Sequence, residues 1–572
     1  MIEERDIKIA MRDGTRIALD VYRPDAPGRY PVLYAASLHN KDMQGPDIAS
    51  LLPPQPAHAP LWFGPVEAGD TRRFVAEGYI HVVAQSRGSA KSEGHYGIED
   101  TDHYDTIDWI VKQPWSDGKV GMVGISGYAG EQWRAAAQQH PALKAIFPYD
   151  ACSAYGNMYG FRDFYPGGVL HTFPYLLDVF STIHEGRGVP PELPPPQEAL
   201  WRQAMENPDY KMYLNLYNIL TQKGQRTFIM FMSMLAPWEP DGTVENSEKR
   251  FEKIKIPFYT GSGAYAYTYK LHWLGAQHYF QNLEAPGKLL FTGPAHLERP
   301  FHSYHDEIIR WYDHWLKGID TGIMNEPPVR YWLMGANEWR TGTDWPLPET
   351  RWDKYYLSSW ERLTTEPPRA AEGSVVAPDV FTQMPLTHTA KVEKLRYVTD
   401  PLPQPLAVVG PISLTLYAAI DQQDTNWIII LKDVGPDVSV LTAREGERSV
   451  PTNLPERELT RGWLKASYRA LDGMRSTPAE PFHKLTRASV EPVVPGEIVE
   501  YHIQILATAN MFKAGHRICL EITSMDVPTG TGAMTGVEYI PYHICSSRTV
   551  THAIHRSGNR PSHLLLPIIP QP

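Results

Sequence analysis

Residues 119–133 read Lys119-Val120-Gly121-Met122-Val123-Gly124-Ile125-Ser126-Gly127-Tyr128-Ala129-Gly130-Glu131-Gln132-Trp133. A short apolar run leads into Gly-x-Ser-x-Ala, and a helical pattern begins directly after it. Strand, tight turn and helix with serine at the apex is the context of a nucleophile elbow. Small neighbours are needed because the serine backbone is strained and closely packed. The helix start aims N–H groups at the place where an oxyanion would develop. The bland alternative is an ordinary strand-to-helix turn in which Ser126 is only the N-cap. The last position of the motif is Ala129 where glycine is usual, and alanine is small enough to permit the turn.

Outward from this stretch the same rhythm repeats. Residues 7–22 predict a β-hairpin, with Ile7, Ile9 and Met11, then Asp13-Gly14, then Ile17, Leu19 and Val21. Apolar runs at 32–36, 79–84, 120–123, 145–149, 257–260 and 289–292 predict strands, and 102–112 and 130–139 predict helices between them. Continuous apolar strands alternating with helices indicate a parallel sheet covered on both faces. Between 151 and 245 this rhythm stops. Helical patches at 200–207 and 212–220 and a proline cluster (Pro190, Pro191, Pro194, Pro195, Pro196) suggest a helical insert that caps the site. Residues 302–317 predict a helix with Ile308, Ile309, Tyr312, Trp315 and Leu316 on one face. From about 356 short alternating strands predict a β-sandwich of jelly-roll type, as in Ile412, Leu414, Leu416 and in Val499, Tyr501, Ile503. The expected division is an α/β domain over 1–150 and 246–355, a helical cap over 151–245 and a jelly-roll β-sandwich over 356–572.

Composition bounds the function. A chain of 572 residues suits about three domains. Three cysteines, Cys152, Cys519 and Cys545, are too few and scattered for a disulfide framework or a Cys-rich zinc site. A net charge of -11 argues against a nucleic-acid partner. No apolar run approaches the ~18–20 residues of a membrane span. The charged start lacks the apolar core of a signal peptide, so the expected location is cytoplasmic.

The residues carry a wider resemblance. Tyr104-Asp105-Thr106-Ile107-Asp108-Trp109, Gln113-Pro114-Trp115-Ser116 and 118–126 resemble the nucleophile block of the CocE/NonD hydrolases, the serine esterase and acylase family related to the Xaa-Pro dipeptidyl peptidases. Arg87-Gly88 with Ser92-Glu93-Gly94, the helix Arg310-Trp311-Tyr312-Asp313-His314-Trp315-Leu316-Lys317-Gly318, Glu326-Pro327-Pro328-Val329, Glu338-Trp339-Arg340 and Phe512-Lys513-Ala514-Gly515-His516-Arg517 are similar to further blocks of it. The resemblance covers most of the chain and is weakest over 151–245. It implies an α/β-hydrolase domain, a helical cap, a jelly roll and Ser126 as the family-equivalent nucleophile.

A serine hydroxyl needs an adjacent base. The resemblance implies His296, after Gly293-Pro294, with His302 and His305 as the nearest alternatives. One oxyanion donor is expected to be the Gly127 N–H. The family adds a tyrosine hydroxyl in an early loop; here the matching segment is Ala36-Ser37-Leu38-His39-Asn40-Lys41, and His39 takes its place. An imidazole N–H can donate to an oxyanion. The family's aspartate is matched by Ala266 in Gly261-Ser262-Gly263-Ala264-Tyr265-Ala266. Loss of the acid costs ~10⁴-fold in protease-type triads. Three explanations stand. The acid has moved, with Asp150 best placed and Glu131 and Asp306 behind it; a Ser–His dyad suffices; or the reaction is not ordinary hydrolysis.

The leading expectation is therefore a serine hydrolase acting through an acyl-enzyme on a small ester or amide substrate with an apolar or aromatic acyl group. Alternatives are a diverged acyltransferase or cyclase and a non-catalytic ligand-binding protein. No cofactor is expected. A metal reading of His302, His305, Asp306 and Glu298 is explained without metal by the helix. The apolar patch Phe228, Met230, Phe231, Met232 and Met234 reads as core packing or as a pocket wall. The expected partner is a small-molecule substrate; the resemblance leaves room for a homo-oligomer joined through the β-rich parts.

Overall fold

The computed structural model describes residues 1–51, 67–94, 101–151, 155, 161–172, 192–221, 228–263, 271–292, 304–368, 376–438, 454–526 and 543–570. Ten strands form the first sheet: β1 (Ile2–Ala10), β2 (Arg16–Arg23), β3 (Tyr30–Ser37), β4 (Ile80–Gln85), β5 (Ser116–Ile125), β6 (Leu143–Tyr149), β7 (Phe258–Gly263), β8 (Gly287–Thr292), β9 (Val329–Leu333) and β10 (Glu338–Gly342). Their spatial order is β1-β2-β4-β3-β5-β6-β7-β8-β9-β10. The expected hairpin is β1–β2, and every expected strand of the α/β region is present. From β4 through β3 to β9 the pairing is parallel throughout.

The strands are apolar on both faces because both faces are covered. Val32, Tyr34, Ala36, Val120 and Met122 point into one core with Ala129 and Trp133 of the helix Gly127–Ala137. Leu33, Ala35, Val123 and Ile125 point the other way, onto Ile308, Trp311, Tyr312 and Leu316. These come from the helix His305–Tyr312 and the wider turn Asp313–Lys317 that continues it. A Cβ on Gly121 would stand 2.4 Å from Tyr312 Cε1, so glycine lets this helix lie close against β5. The Tyr312 hydroxyl donates to the Met122 carbonyl.

Between β6 and β7 the chain is helical: Pro195–Met205, Pro208–Met212, Leu214–Thr221, Phe228–Leu235 and Thr243–Phe251. Of the proline cluster, Pro194 is an N-cap, and Pro195 and Pro196 lie in a first helical turn, where a missing N–H loses no intrahelical bond. Met230, Phe231 and Met234 are buried in the same core as Ile125 and Trp311. They follow the core-packing reading, and the Phe228 side chain lies outside the described residues.

The last third is β-rich, as expected. Twelve strands form one sheet, and Leu406–Ile420 pairs with both Val499–Phe512 and the final strand His563–Ile569, which closes it. It joins the first sheet through main chain: Met334 N–H donates to Ala509 O at 3.0 Å, and Met511 N–H to Met334 O at 2.7 Å. Trp273, Phe291, Tyr331, Ala407 and Ala509 share one core across this junction. Among the described residues no helix is long and apolar enough to cross a membrane.

One buried ionic cluster stands in the β-rich part. Arg461 Nη1 lies 2.5 Å from Asp526 Oδ1, and His543 Nδ1 bonds the other carboxylate oxygen. Asp526 and His543 side chains are almost wholly buried. Burial would raise the Asp526 carboxyl, but His543 and Arg461 outweigh it and hold it below the ordinary range. A carboxyl held low when folded stabilises the fold above its unfolded pKa, and that stabilisation is lost as pH falls through the folded one. Asp526→Asn is expected to cost about 3 kcal/mol or more, because it removes the buried carboxylate that Arg461 and His543 share and leaves Arg461 only the less buried Glu458. Calorimetry should show a lowered Tm at pH 7 and a smaller gap from wild type under acid conditions; an unchanged Tm would contradict the assignment.

Candidate active site

The elbow follows from backbone geometry. Ser126 has φ 57° and ψ −117°, a region that L-residues avoid. Four hydrogen bonds hold it there. Ser126 N–H donates to Tyr149 O at 3.1 Å and Ile125 N–H to Glu67 O at 3.1 Å; Ala129 and Gly130 N–H donate back to Ser126 O at 3.0 and 3.1 Å. The Ser126 side chain makes no capping bond and is partly exposed, which sets it apart from an ordinary N-cap. Two flanking glycines are steric requirements. A Cβ on Gly124, with φ 129°, would lie 2.5 Å from Tyr128 Cβ. A Cβ on Gly127 would lie 2.9 Å from Ser37 Oγ and 3.3 Å from His39 Nε2.

The last contact brings two expected residues together. Gly127 opens the helix Gly127–Ala137, so its N–H belongs to the turn that has no intrahelical acceptors, and the His39 ring lies against it. The His39 loop is firmly held. Ser37 O accepts from Ser86 N–H at 2.9 Å, Gln85 Oε1 accepts from Lys41 N–H at 2.8 Å, and Gln85 Nε2 donates to Leu38 O at 2.8 Å. The Lys41 ammonium is buried among Asp6, Asp20 and Asp42 at 2.7, 2.7 and 2.8 Å.

Asp150 stands beside the serine. Ile125 pairs in register with Tyr149, so the next residues along these parallel strands are Ser126 and Asp150, about 5 Å apart at the backbone. Asp150 is fully buried, has φ 55° and donates its N–H to Gly261 O at 2.9 Å. The neighbouring Tyr149 hydroxyl is 2.6 Å from Thr292 Oγ1. Burial and then the charge of Asp150 push the Tyr149 phenol well above its ordinary value.

The other acid candidates are elsewhere. Glu131 Oε2 is 2.7 Å from His103 Nε2, whose Nδ1 is 3.1 Å from Tyr34 Oη, and Arg134 is 3.7 Å from its other oxygen. This buried chain of partners runs from the helix Gly127–Ala137 to His103 and to Tyr34 of β3, and it engages the Glu131 carboxylate there. Asp306 is exposed and pairs with Arg73 at 3.0 Å. His305 packs its ring 5.9 Å from Phe74. His296, His302, Glu298 and Ala266 lie outside the described residues. The strands that lead to them do not: β7 ends at Gly263 and β8 at Thr292, on the edge that carries Ser126 and Asp150. Thr292 is three strand spacings from Ser126, about 14 Å.

Sequence reasoning missed Glu67. Its carboxylate Oε2 is 3.3 Å from His39 Nε2, and its side chain is 4% exposed. Gln44 Oε1 accepts from Glu67 N–H at 2.6 Å and from Ala68 N–H at 3.1 Å, which fixes the segment. Burial and then the charge of Glu67 hold the Tyr128 phenol well above its ordinary value. No periodicity or motif around position 67 signals this placement.

Comparison with known proteins identifies the family and supports the fold. Residues 13–298 match the model of the X-Pro dipeptidyl-peptidase (S15 family), and residues 321–565 match that of the X-Pro dipeptidyl-peptidase C-terminal non-catalytic domain. The cocaine esterase of a Rhodococcus species is 25% identical, with 99% of this chain and 98% of that protein covered. A CocE/NonD family hydrolase from Staphylococcus aureus superposes with TM-score 0.76 at 21% identity, covering 100% of this chain and 94% of that one. An aminopeptidase from a marine-sediment Thaumarchaeota archaeon gives TM-score 0.74 at 19% identity, covering 99% and 97%. With the S15 model spanning half of the chain and the α/β-hydrolase elbow in place, the protein belongs to the X-Pro dipeptidyl-peptidase (S15) family, among its serine esterases and peptidases of CocE/NonD type.

Proposed function

We propose that this protein hydrolyses a small ester or amide through an acyl-enzyme on Ser126, with an apolar or aromatic acyl group as substrate. The observation that carries the reading is the left-handed, partly exposed, uncapped Ser126 at the end of β5. Ser126 Oγ attacks the carbonyl carbon, and His296 takes the hydroxyl proton and delivers it to the leaving group. The tetrahedral oxyanion sits between the Gly127 N–H and His39. Water, activated by the same histidine, then releases the acyl group. Aromatic side chains near the elbow support the acyl preference: Tyr149, at the end of β6, stacks with Tyr304 at 6.1 Å, and Tyr128, in the first turn of the elbow helix, lies 6.4 Å from His39. Asp150 is the acid in this scheme, moved one strand nearer to the serine than the position that Ala266 occupies in sequence. Its full burial beside Ser126 supports this, since a buried carboxylate orients a base and stabilises the imidazolium.

A second reading, acyl transfer to an acceptor other than water, is favoured by Ala266 alone. Turnover of an aryl ester with and without added alcohol separates the two by the fraction of acyl group recovered as a new ester.

Two outcomes check the scheme. Ser126→Ala is expected to lower aryl-ester turnover by about 10⁴-fold or more. A serine-directed phosphonate should add mass to the wild type at Ser126 and none to the variant; equal turnover by the two proteins rejects the nucleophile. Asp150→Asn keeps a residue that tolerates left-handed backbone, so the fold should survive. kcat is expected to fall by about 10²-fold or more, towards the ~10⁴-fold of a lost triad acid, and Ala266→Asp in the same protein should recover part of it. A kcat within twofold of wild type would remove Asp150 from the mechanism and leave a dyad.

A further inference from the structure

A cavity of about 580 Å³ lies where the helices after β6 meet the β-rich part, within the size range of small-molecule sites. None of Ser126, Gly127, His39 and Asp150 lines it, so it is separate from the elbow. Tyr210, Trp238 and Tyr468 give it an aromatic wall, with Leu170, Val490 and Ile544 beside them. Tyr468 is held from two sides. Its hydroxyl donates to the Pro237 carbonyl, and a Cβ on Gly168, with φ 83°, would lie 2.7 Å from Tyr468 Cγ.

The cavity also carries charge, and the charge is divided. Asp424 Oδ1 accepts from Thr425 N–H at 3.0 Å and from Ser467 N–H at 2.9 Å, and Oδ2 accepts from the Ser467 hydroxyl at 2.8 Å. Lys465 Nζ is 3.4 Å from the same Oδ2. Asp209 stands in the first turn of the helix Pro208–Met212, where its Oδ1 accepts from Ser547 N–H at 2.7 Å. Burial would lower the Lys465 ammonium, but Asp424 and then Asp209 outweigh it and hold it above its ordinary value. Two carboxylates therefore share one ammonium, and this group is negative by one charge. Arg487 lines the same cavity, with its guanidinium 4.9 Å over the Trp238 ring. Among the described residues no carboxylate pairs with it. Stacking engages the guanidinium face and leaves its edge, with the N–H donors, for a partner.

The geometry points to a second binding site in this cavity, one that takes a zwitterion with an aromatic body: an aromatic amino acid, or a dipeptide that carries one. The ligand's ammonium donates on the side of Asp209 and Asp424. Its carboxylate accepts from the Arg487 guanidinium, and its ring lies among Trp238, Tyr210 and Tyr468. A neutral ligand leaves both charges unused. A simple anion or cation answers one of them and meets the other as a like charge. A zwitterion makes a charge-assisted hydrogen bond at each end. Asp209 belongs to the helices after β6 and Arg487 to the β-rich part, so the bound ligand ties these two parts together. Binding is reversible, and no covalent bond forms or breaks.

The test uses the full chain and four brominated probes. 4-Bromophenylalanine and its glycyl dipeptide are the zwitterions; N-acetyl-4-bromophenylalanine has no ammonium, and 4-bromophenethylamine has no carboxylate. Titration calorimetry should show each one-charge probe binding about 10-fold or more weakly than the tighter zwitterion. In crystals soaked with that zwitterion, the anomalous bromine peak should lie beside Trp238 and Tyr468. Arg487→Gln should weaken the zwitterion by about 10-fold or more and leave the amine unchanged. Asp209→Asn, which can still accept from Ser547 N–H, should weaken the zwitterion and leave the acetylated probe unchanged. The probe series on the wild type stands even where a variant fails to fold. A one-charge probe that binds within twofold of the zwitterion overturns the inference. So does a bromine peak beside Ser126 only, no bromine peak at all, or a peak in the cavity without measurable binding in solution, which is binding at crystal concentration only.

Discussion

The left-handed backbone of Ser126 is the constraint on which the rest of the site depends. A non-glycine residue in such a region costs about 1–3 kcal/mol and persists only when its surroundings over-determine it. Here they do so from every side. Tyr149 O takes the serine N–H from the neighbouring strand, Glu67 O takes the preceding one, and the first turn of the helix bonds back to the serine carbonyl. Beneath, Gly121 lets Tyr312 press against β5. Above, the absence of a side chain on Gly127 admits Ser37 and His39. Each neighbour that sustains the strain is also part of the site or leads into it, so the arrangement that forces the turn also collects the chemistry.

Most of the framework was legible because it is written in periodicity. Leu33 and Ala35 pack on one side of the sheet and Val32, Tyr34 and Ala36 on the other, so the strand reads as an unbroken apolar run. The elbow was legible because glycine and alanine are required where backbone meets backbone. The proline cluster marked the insert but not where its helices begin: Pro195 and Pro196 stand in a first helical turn, a place as well suited to proline as a loop. The acids were the least legible part. Glu131 is five residues from Ser126 in sequence yet its carboxylate pairs with His103. Asp150 is twenty-four residues away yet its backbone lies beside the serine, because β5 and β6 pair in register. Glu67 offered no signal, since only tertiary folding carries its segment to Ile125 and His39.

The three parts of the chain are joined by specific contacts. Met334 and Met511 are bonded through main chain, and a Cβ on Gly335 would stand 2.1 Å from Met511 O, so the seam between the two sheets admits no side chain there. The helices after β6 share a core with Ile125 on one side and with Met525 and Ile544 on the other. Tyr213 Oη is 2.9 Å from Cys545 Sγ, and Arg162 bridges Glu239 and the His483 carbonyl at 2.8 and 3.0 Å. The β-rich part therefore braces the helices that stand between β6 and β7, the strands whose ends carry Asp150 and lead towards position 266.

On the proposed mechanism the two departures from the family pattern bear on the same transition state. A triad acid helps by stabilising the positive charge that forms on the base, and an oxyanion donor by stabilising the negative charge that forms on the substrate. Both charges appear together when Ser126 attacks. An N–H donated by His39 serves the second term in a buried setting, where a hydrogen bond acts at higher strength than in water. Losing the aspartate at position 266 weakens the first term unless Asp150 supplies it.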